Sequence, residues 1–162
     1  MGQAQSRIRP ARLENVNRFA HKRGAERGYG RTALGALMLR ILLAEDDDSM
    51  RVYLTRALER VGYMVTAVDR GTAALPLLES EPFDLLLTDI VMPEMDGIEL
   101  AQKAAVIAPD IRVMFITGFA AVALKAGRKA PDAKVLSKPF HLRDLVAEVE
   151  RMFQTEDQHG RL

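Results

Sequence analysis

Five polar residues of this chain each end, or directly follow, an apolar run of strand length. Glu45 and Asp46 follow LRILLA, Asp89 ends FDLLLTD, Thr117 ends IRVMFIT, and Lys138 comes after AKVLS. In an open sheet of parallel strands, ligands bind at the edge where the strands have their carboxyl ends. If these runs are neighbouring strands, three carboxylates, a hydroxyl and an ammonium group meet at one such edge.

Carboxylates at the ends of adjacent strands, about 5 Å apart, repel each other unless a proton or a cation lies between them. Mg²⁺ takes about six oxygen ligands and keeps several waters, so a few protein oxygens suffice. We expect Asp46 and Asp89 to bind Mg²⁺ directly and Glu45 to hold a metal-bound water. The backbone carbonyl of Val91, in the loop after Asp89, is a further expected ligand.

The same residues are suited to phosphoryl transfer. The cation would offset the charge that develops as the Asp89 carboxylate attacks a phosphoryl group. The Lys138 ammonium and the Thr117 hydroxyl are suited to bind the phosphoryl oxygens. The sequence therefore predicts a Mg²⁺-dependent aspartyl-phosphate site with Asp89, Thr117 and Lys138 as its reacting residues.

Ten predicted elements after Met38 position these residues. Predicted strands span 39–44, 63–68, 83–89, 111–117 and 133–137, and predicted helices span 49–61, 71–79, 97–107, 120–127 and 141–153. Strand-length apolar runs that alternate with amphipathic helices are typical of an α/β fold with a parallel five-stranded sheet.

Helical spacing predicts which residues of the first and last helices face the core. They are Met50, Leu54, Ala57, Leu58 and Val61 on the first helix, and Leu142, Leu145, Val146, Val149 and Met152 on the last. Asp47 and Asp48 are interpreted as residues that favour the start of the first helix, not as metal ligands.

Charge is unevenly distributed along the 162 residues, whose net charge is only +1. Residues 1–37 contain eight Arg and Lys against two Glu, a net charge of +6, whereas residues 38–162 carry −5. Because residues 1–37 have few large apolar side chains, we predict a disordered or partly helical arm. An alternative interpretation is that translation begins naturally at Met38. Residues 155–162 are predicted to form a short tail.

Composition excludes several kinds of site. The chain has no cysteine and three scattered histidines, so disulfides, thiolate metal sites and a zinc cage are not expected. No apolar run reaches the roughly 18 to 20 residues needed to span a bilayer, and no signal peptide is recognisable. We therefore expect a cytoplasmic protein without membrane association.

The polar residues at the predicted strand ends, taken together with the runs around them, resemble the receiver domains of bacterial two-component response regulators. The runs ILLAEDD, LLLTDIVMPEMDGIELA, MFITGFAAVAL and KVLSKPFHLRDLV are similar in particular to the CpdR-type single-domain regulators of alphaproteobacteria. The resemblance covers about residues 39–153, so residues 38–154 are assigned to one receiver domain. It implies a flavodoxin-like (βα)5 fold with strand order 2-1-3-4-5.

By this resemblance, Asp89 matches the phosphoacceptor, and Glu45 with Asp46 matches the metal-binding pair. Thr117 matches the switch hydroxyl, and Lys138 matches the phosphate-contacting lysine, which a cis peptide bond would join to Pro139. One position departs from the family, because Val135 stands where an aromatic residue often moves on activation. Phe119 is our candidate for a different moving part.

The resemblance also implies partners. A histidine kinase or histidine phosphotransferase would supply the phosphoryl group, and the output would be a ClpX-type unfoldase of the ClpXP protease system in cell-cycle control. Beyond Mg²⁺-dependent autophosphorylation from a phosphodonor and slow self-dephosphorylation, no enzymatic activity is expected. We expect a monomer or weak dimer.

Two other functions are compatible with parts of the sequence. One is a hydrolase with an aspartyl-phosphate intermediate, which needs a second Asp as general acid two residues after the first. That position is Val91 in this chain, so the hydrolase is not expected.

The other is nucleic-acid binding, in which phosphates would contact the arginines of the arm, namely Arg7, Arg9, Arg12, Arg18, Arg23, Arg27 and Arg31. Because no helix-turn-helix region follows the receiver motifs, specific DNA binding is not expected.

Overall fold

The computed structural model describes residues 38–154. The predicted basic arm at residues 1–37 and the predicted tail at residues 155–162 lie outside the described residues.

Five strands alternate with five helices over the described part. The strands are β1 (Arg40–Ala44), β2 (Met64–Val68), β3 (Leu85–Asp89), β4 (Arg112–Thr117) and β5 (Lys134–Ser137). The helices are α1 (Asp48–Val61), α2 (Gly71–Ser80), α3 (Gly97–Ile107), α4 (Ala120–Lys129) and α5 (Leu142–Gln154). Every predicted element is present, and α4 extends two residues past its predicted end.

The strands form one parallel sheet in the order β2-β1-β3-β4-β5, which confirms the predicted flavodoxin-like topology. Pairing places Ala44 beside Thr88, and Asp89 beside Ile116. Because strands β1 and β3 are adjacent and end together, the residues that follow them lie at one edge of the sheet. The register therefore brings the predicted site residues of β1 and β3 together.

Alternate residues of β1 and β3 fill two cores on opposite faces of the sheet. Ile41 and Leu87 lie with the apolar stripes of α1 and α5, whereas Leu42 and Leu86 lie with those of α2 and α3. All five residues of β3 are buried. A central strand covered on both faces explains why its sequence is continuously apolar.

The predicted helix stripes are confirmed except at one position. Leu54, Ala57 and Leu58 of α1 are buried, but Val61 is 37% exposed. Val61 is the last residue of its helix, where the chain turns away at Gly62, so helical spacing no longer points it at the core. On α5, Leu145, Val149 and Met152 are buried, and Leu142 and Val146 are partly buried.

The first helix begins as predicted. The Asp47 carboxylate accepts a hydrogen bond from the backbone N–H of Met50 at 2.7 Å and caps the helix, and Asp48 lies in the first turn. Such a cap satisfies one of the free N–H groups at the helix start.

Within residues 38–154, no helix combines the length and apolarity that a membrane span requires.

Two glycines with open space around them, Gly62 and Gly127, can be used to test how backbone conformation affects the stability of the fold. Gly62 has φ of +105°, in the left-handed region, and Gly127 lies inside α4; neither would bring an added Cβ within 4 Å of another atom. We expect Gly62→Ala to lower the free energy of unfolding by about 1 kcal/mol, because alanine is strained at this φ.

The matched variant, Gly127→Ala, should raise the free energy of unfolding by about 0.5 to 1 kcal/mol, because alanine favours the helix more than glycine does. Urea denaturation of both variants measures the two changes. A loss of stability in Gly127→Ala equal to that in Gly62→Ala would contradict the conformational argument.

Candidate functional site

An acidic cluster lies at the carboxyl ends of β1 and β3. Glu45, Asp46 and Asp89 each offer a carboxylate oxygen, and these atoms lie within 4.8 Å of one another. They border an open depression of about 410 Å³, which is also lined by Lys138 and by four residues at the start of α1, namely Asp47, Ser49, Met50 and Tyr53. The predicted carboxylates therefore meet as expected.

Lys138 enters this cluster from the end of β5. Its ammonium nitrogen Nζ lies 3.2 Å from Oδ2 of Asp89 and 3.3 Å from Oε2 of Glu45 and donates a hydrogen bond to each. The Lys138–Pro139 peptide bond is cis, and the backbone N–H of Lys138 donates to the carbonyl of Thr117 at 2.8 Å. One cation thus bridges carboxylates from two different strand ends.

Glu45 is the most enclosed member of the cluster, only 1% exposed. Burial raises its pKa above the ordinary value, and the charge of Asp89 acts in the same direction. Hydrogen bonds from the backbone N–H of Asp47, at 3.1 Å, and from Lys138 lower the pKa again, but only in part. Glu45 is therefore held by donors of the protein on both of its carboxylate oxygens.

The electrostatics of Lys138 mirror those of Glu45. Partial burial acts to lower its pKa, but the charges of Asp89 and Glu45 and the hydrogen bonds to both outweigh that effect, so the pKa is raised. Since the ordinary pKa is already far above neutrality, the side chain remains an ammonium group. The site therefore contains a fixed positive charge.

The Asp89 side chain is 12% exposed, and its second carboxylate oxygen is held by the backbone. Its Oδ1 accepts a hydrogen bond from the N–H of Val91 at 3.2 Å. The backbone carbonyl of Asp89 accepts from the buried Thr88 hydroxyl at 2.8 Å. The first contact orients the carboxylate and the second holds the backbone that carries it, and Asp89 lines the open depression that a reagent from solvent can enter.

The cluster fits a hard divalent cation. All three side chains provide carboxylate oxygens, which are the ligands that Mg²⁺ prefers, and Asp46 is exposed to water that would complete the coordination. The Val91 carbonyl remains a predicted ligand. Mg²⁺ would have to share Glu45 and Asp89 with the Lys138 ammonium, which already contacts both.

Thr117 lies at the end of β4 and is 1% exposed. Its Oγ1 accepts a hydrogen bond from the backbone N–H of Phe119 at 3.2 Å. Among the described residues, those that line the depression around Asp89 do not include Thr117. The predicted hydroxyl is thus at the expected strand end, but it is engaged with the β4–α4 loop.

Sequence reasoning did not identify Gly97 as a site residue, although it packs directly on Asp89. A Cβ at Gly97 would lie 2.1 Å from the carbonyl oxygen of Asp89 and 2.9 Å from Cα of Ile90. Glycine therefore allows α3 to approach the strand end that presents the carboxylate. Asp96, directly before Gly97, caps α3 by accepting a hydrogen bond from the backbone N–H of Glu99 at 2.8 Å.

Comparison with known proteins gives the class. A family model described as the response regulator receiver domain matches residues 41–150. The response regulator receiver protein CpdR of Brucella abortus is 67% identical over 116 residues, which are 71% of this chain and 97% of that protein. Sensor kinase CckA of Brucella abortus is 38% identical over 121 residues, which are 72% of this chain and 13% of that protein.

Similar solved structures agree with this class of protein. A CheY-like response regulator receiver domain protein of Methanospirillum hungatei has a TM-score of 0.69 and 29% identity, over 76% of this chain and 100% of that one. The chain therefore belongs to the response regulator receiver family. The similarity to CpdR-type single-domain regulators that the motifs indicated is confirmed.

The close approach at Gly97 gives a mutational test with a matched control. Gly97→Ala should lower the free energy of unfolding by about 2 to 3 kcal/mol, because the new methyl group would overlap the backbone of β3. Gly71, likewise the first residue of a helix, would place a Cβ 3.2 Å from the flexible side chain of Met95.

Gly71→Ala should therefore cost less than about 1 kcal/mol, since a methionine side chain adapts. Chemical denaturation measures both variants under one set of conditions. Equal losses in the two would show that the contact with the Asp89 backbone has no special cost.

Proposed function

We propose that this receiver is a phosphorylation-controlled switch in which Asp89 accepts a phosphoryl group in a Mg²⁺-dependent reaction. The observation that carries the proposal is the acidic cluster bridged by Lys138, which contacts Asp89 and Glu45 at 3.2 and 3.3 Å. A nucleophilic carboxylate, a fixed ammonium and further oxygen ligands at one open edge are the groups that phosphoryl transfer requires.

In the proposed step, an Asp89 carboxylate oxygen forms a bond to phosphorus while the bond from phosphorus to the donor's histidine nitrogen breaks. The electron pair of that bond stays on the nitrogen, and the product is a mixed acid anhydride. Lys138 is placed to donate to a phosphoryl oxygen in place of the Asp89 oxygen that it now contacts. Thr117 would donate its hydroxyl once its loop moves.

Mg²⁺ would be held by the carboxylates of Asp46, Asp89 and Glu45 and by the backbone carbonyl of Val91. When bound, the cation supplies positive charge against the phosphoryl oxygens. The exposed position of Asp46 and the enclosed position of Glu45 suit a direct ligand and a holder of a metal-bound water, respectively.

Phosphorylation would add about 1.5 to 2 negative charges beside Lys138 and change the surface near β4 and β5. The proposed partner surface is that of α4, β5 and α5, and its elements have exposed apolar side chains, namely Phe119 at the N-cap of α4 at 61%, Leu124 on α4 at 69% and Val135 on β5 at 36%. Exposed apolar residues of this kind suit a protein partner. Because Val135 is not aromatic, we assign the moving part to Phe119, whose N–H is bound to the Thr117 hydroxyl.

The proposed donor is a histidine kinase or histidine phosphotransferase, and the proposed partner is a ClpX-type unfoldase of the ClpXP protease in cell-cycle control. Both proposals rest on the similarity to CpdR-type regulators. The same similarity favours the unmodified form as the one that engages the protease. A monomer or weak dimer in the cytoplasm fits this role.

Labelling with acetyl phosphate tests the acceptor. Wild-type protein with Mg²⁺ should gain the mass of one phosphoryl group, whereas Asp89→Asn should gain none, because it lacks the nucleophile. Asp47→Asn is the matched control, since Asp47 caps α1 and asparagine also caps helices well. An unmodified wild type, or an equally labelled Asp89→Asn, would refute Asp89 as the acceptor.

Binding to ClpX tests the output. We expect unmodified protein to bind immobilised ClpX and acetyl-phosphate-treated protein to bind less, while Asp89→Asn binds equally with and without treatment. Phe119→Ser should weaken binding several-fold without loss of the fold, because serine at this N-cap position favours α4.

Val106→Ser is the control for lost apolar surface, since Val106 is 82% exposed on α3, which is not one of the elements of the proposed surface. Equal ClpX binding by the modified and unmodified wild type would remove the switch.

A further inference from the structure

Arg51 contacts the strand end that presents Glu45 and Asp46, although no step of the proposed reaction uses it. Its Nη1 donates a hydrogen bond to the backbone carbonyl of Glu45 at 2.9 Å, and its Nη2 donates to Oδ1 of Asp48 at 2.5 Å. The Arg51 side chain is only 20% exposed, whereas that of Asp48 is 87% exposed. The Arg51 guanidinium thus lies against the backbone that follows β1 and is largely shielded from solvent.

The bonded carbonyl belongs to the peptide that leads to Asp46. Because a peptide unit is planar, fixing the carbonyl of Glu45 also fixes the N–H and Cα of Asp46. The other side of Glu45 is fixed by its own N–H, which donates to the carbonyl of Val68 on β2 at 3.1 Å. Asp46 itself is exposed, so the orientation of its carboxylate depends on the peptide that carries it.

Arg51 is also a positive charge beside several carboxylates. By charge alone it weakens the binding of a divalent cation at the cluster, because like charges repel. By its hydrogen bond to the carbonyl it holds the loop in one geometry, which favours cation binding. The two effects of Arg51 on Mg²⁺ affinity therefore have opposite signs, and the direction in which the affinity changes when Arg51 is replaced shows which effect is larger.

We propose that Arg51 is a positioning residue that orients the Asp46 carboxylate for Mg²⁺ through the carbonyl of Glu45. The inference rests on the proposed function, since Mg²⁺ binding by this cluster is part of it. Hydrogen-bonded groups outside the ligands of a metal site typically change metal affinity by about 10- to 100-fold. A contribution near the lower limit is expected here, because Arg51 acts through the backbone and its charge opposes the effect.

The test is Mg²⁺ titration calorimetry on the full chain, with urea denaturation in a chelator as a separate measure of folding. Arg51→Met keeps the apolar stem but removes charge and donors, and it should weaken Mg²⁺ binding about tenfold. Arg51→Lys keeps the charge but not the planar pair of donors, and it should also weaken binding. Arg56→Met, which removes an exposed arginine further along the same helix, should leave affinity unchanged.

The outcomes are distinct. Unchanged or tighter Mg²⁺ binding in Arg51→Met would show that Arg51 makes no net favourable contribution to Mg²⁺ binding and would overturn the inference while leaving the proposed function intact. If Arg51→Met does not fold, wild-type affinity in Arg51→Lys overturns it equally. A wild type that binds no Mg²⁺ refutes both the inference and the proposed cation site, whereas a wild type that binds Mg²⁺ but is not labelled by acetyl phosphate refutes only the phosphorylation step.

Discussion

The contact of the Lys138 ammonium with the carboxylates of Glu45 and Asp89 is the interaction on which the site depends. Glu45 is almost fully buried, and an unpaired carboxylate in such a place is strongly unfavourable. The ammonium compensates that charge and also holds an oxygen of Asp89. Glu45 and Asp89 can therefore lie close together in the folded chain before any cation or phosphoryl group arrives.

The sheet makes this contact possible. Parallel strands β1, β3, β4 and β5 end at one edge, and each delivers a residue type that the chemistry needs. Gly97 lets α3 approach the backbone of Asp89, and Asp47 starts α1 directly after the acidic pair. Helix starts and strand ends thus surround the same small volume. Asp89 lies beside β4, which pairs with β5, and β5 is part of the proposed partner surface.

Much of this arrangement follows from sequence patterns. Apolar runs at regular intervals predicted the ten elements, and residues at the strand ends predicted the cluster of Glu45, Asp46, Asp89 and Lys138. Other contacts have no such signal, because they depend on how separate elements approach. The Gly97 approach and the bond from Arg51 to a backbone carbonyl are examples. Helical spacing also gave a wrong prediction of burial at Val61, because the helix ends there and the spacing no longer determines which way the side chain faces.

The competition between Lys138 and a cation tests this account most directly. Since the ammonium contacts the oxygens that Mg²⁺ would share, its removal should leave an acidic cluster that attracts Mg²⁺ more strongly. Calorimetric titration of wild type and Lys138→Met measures this difference. The account predicts tighter Mg²⁺ binding by Lys138→Met, and equal or weaker binding by a folded Lys138→Met protein would contradict it.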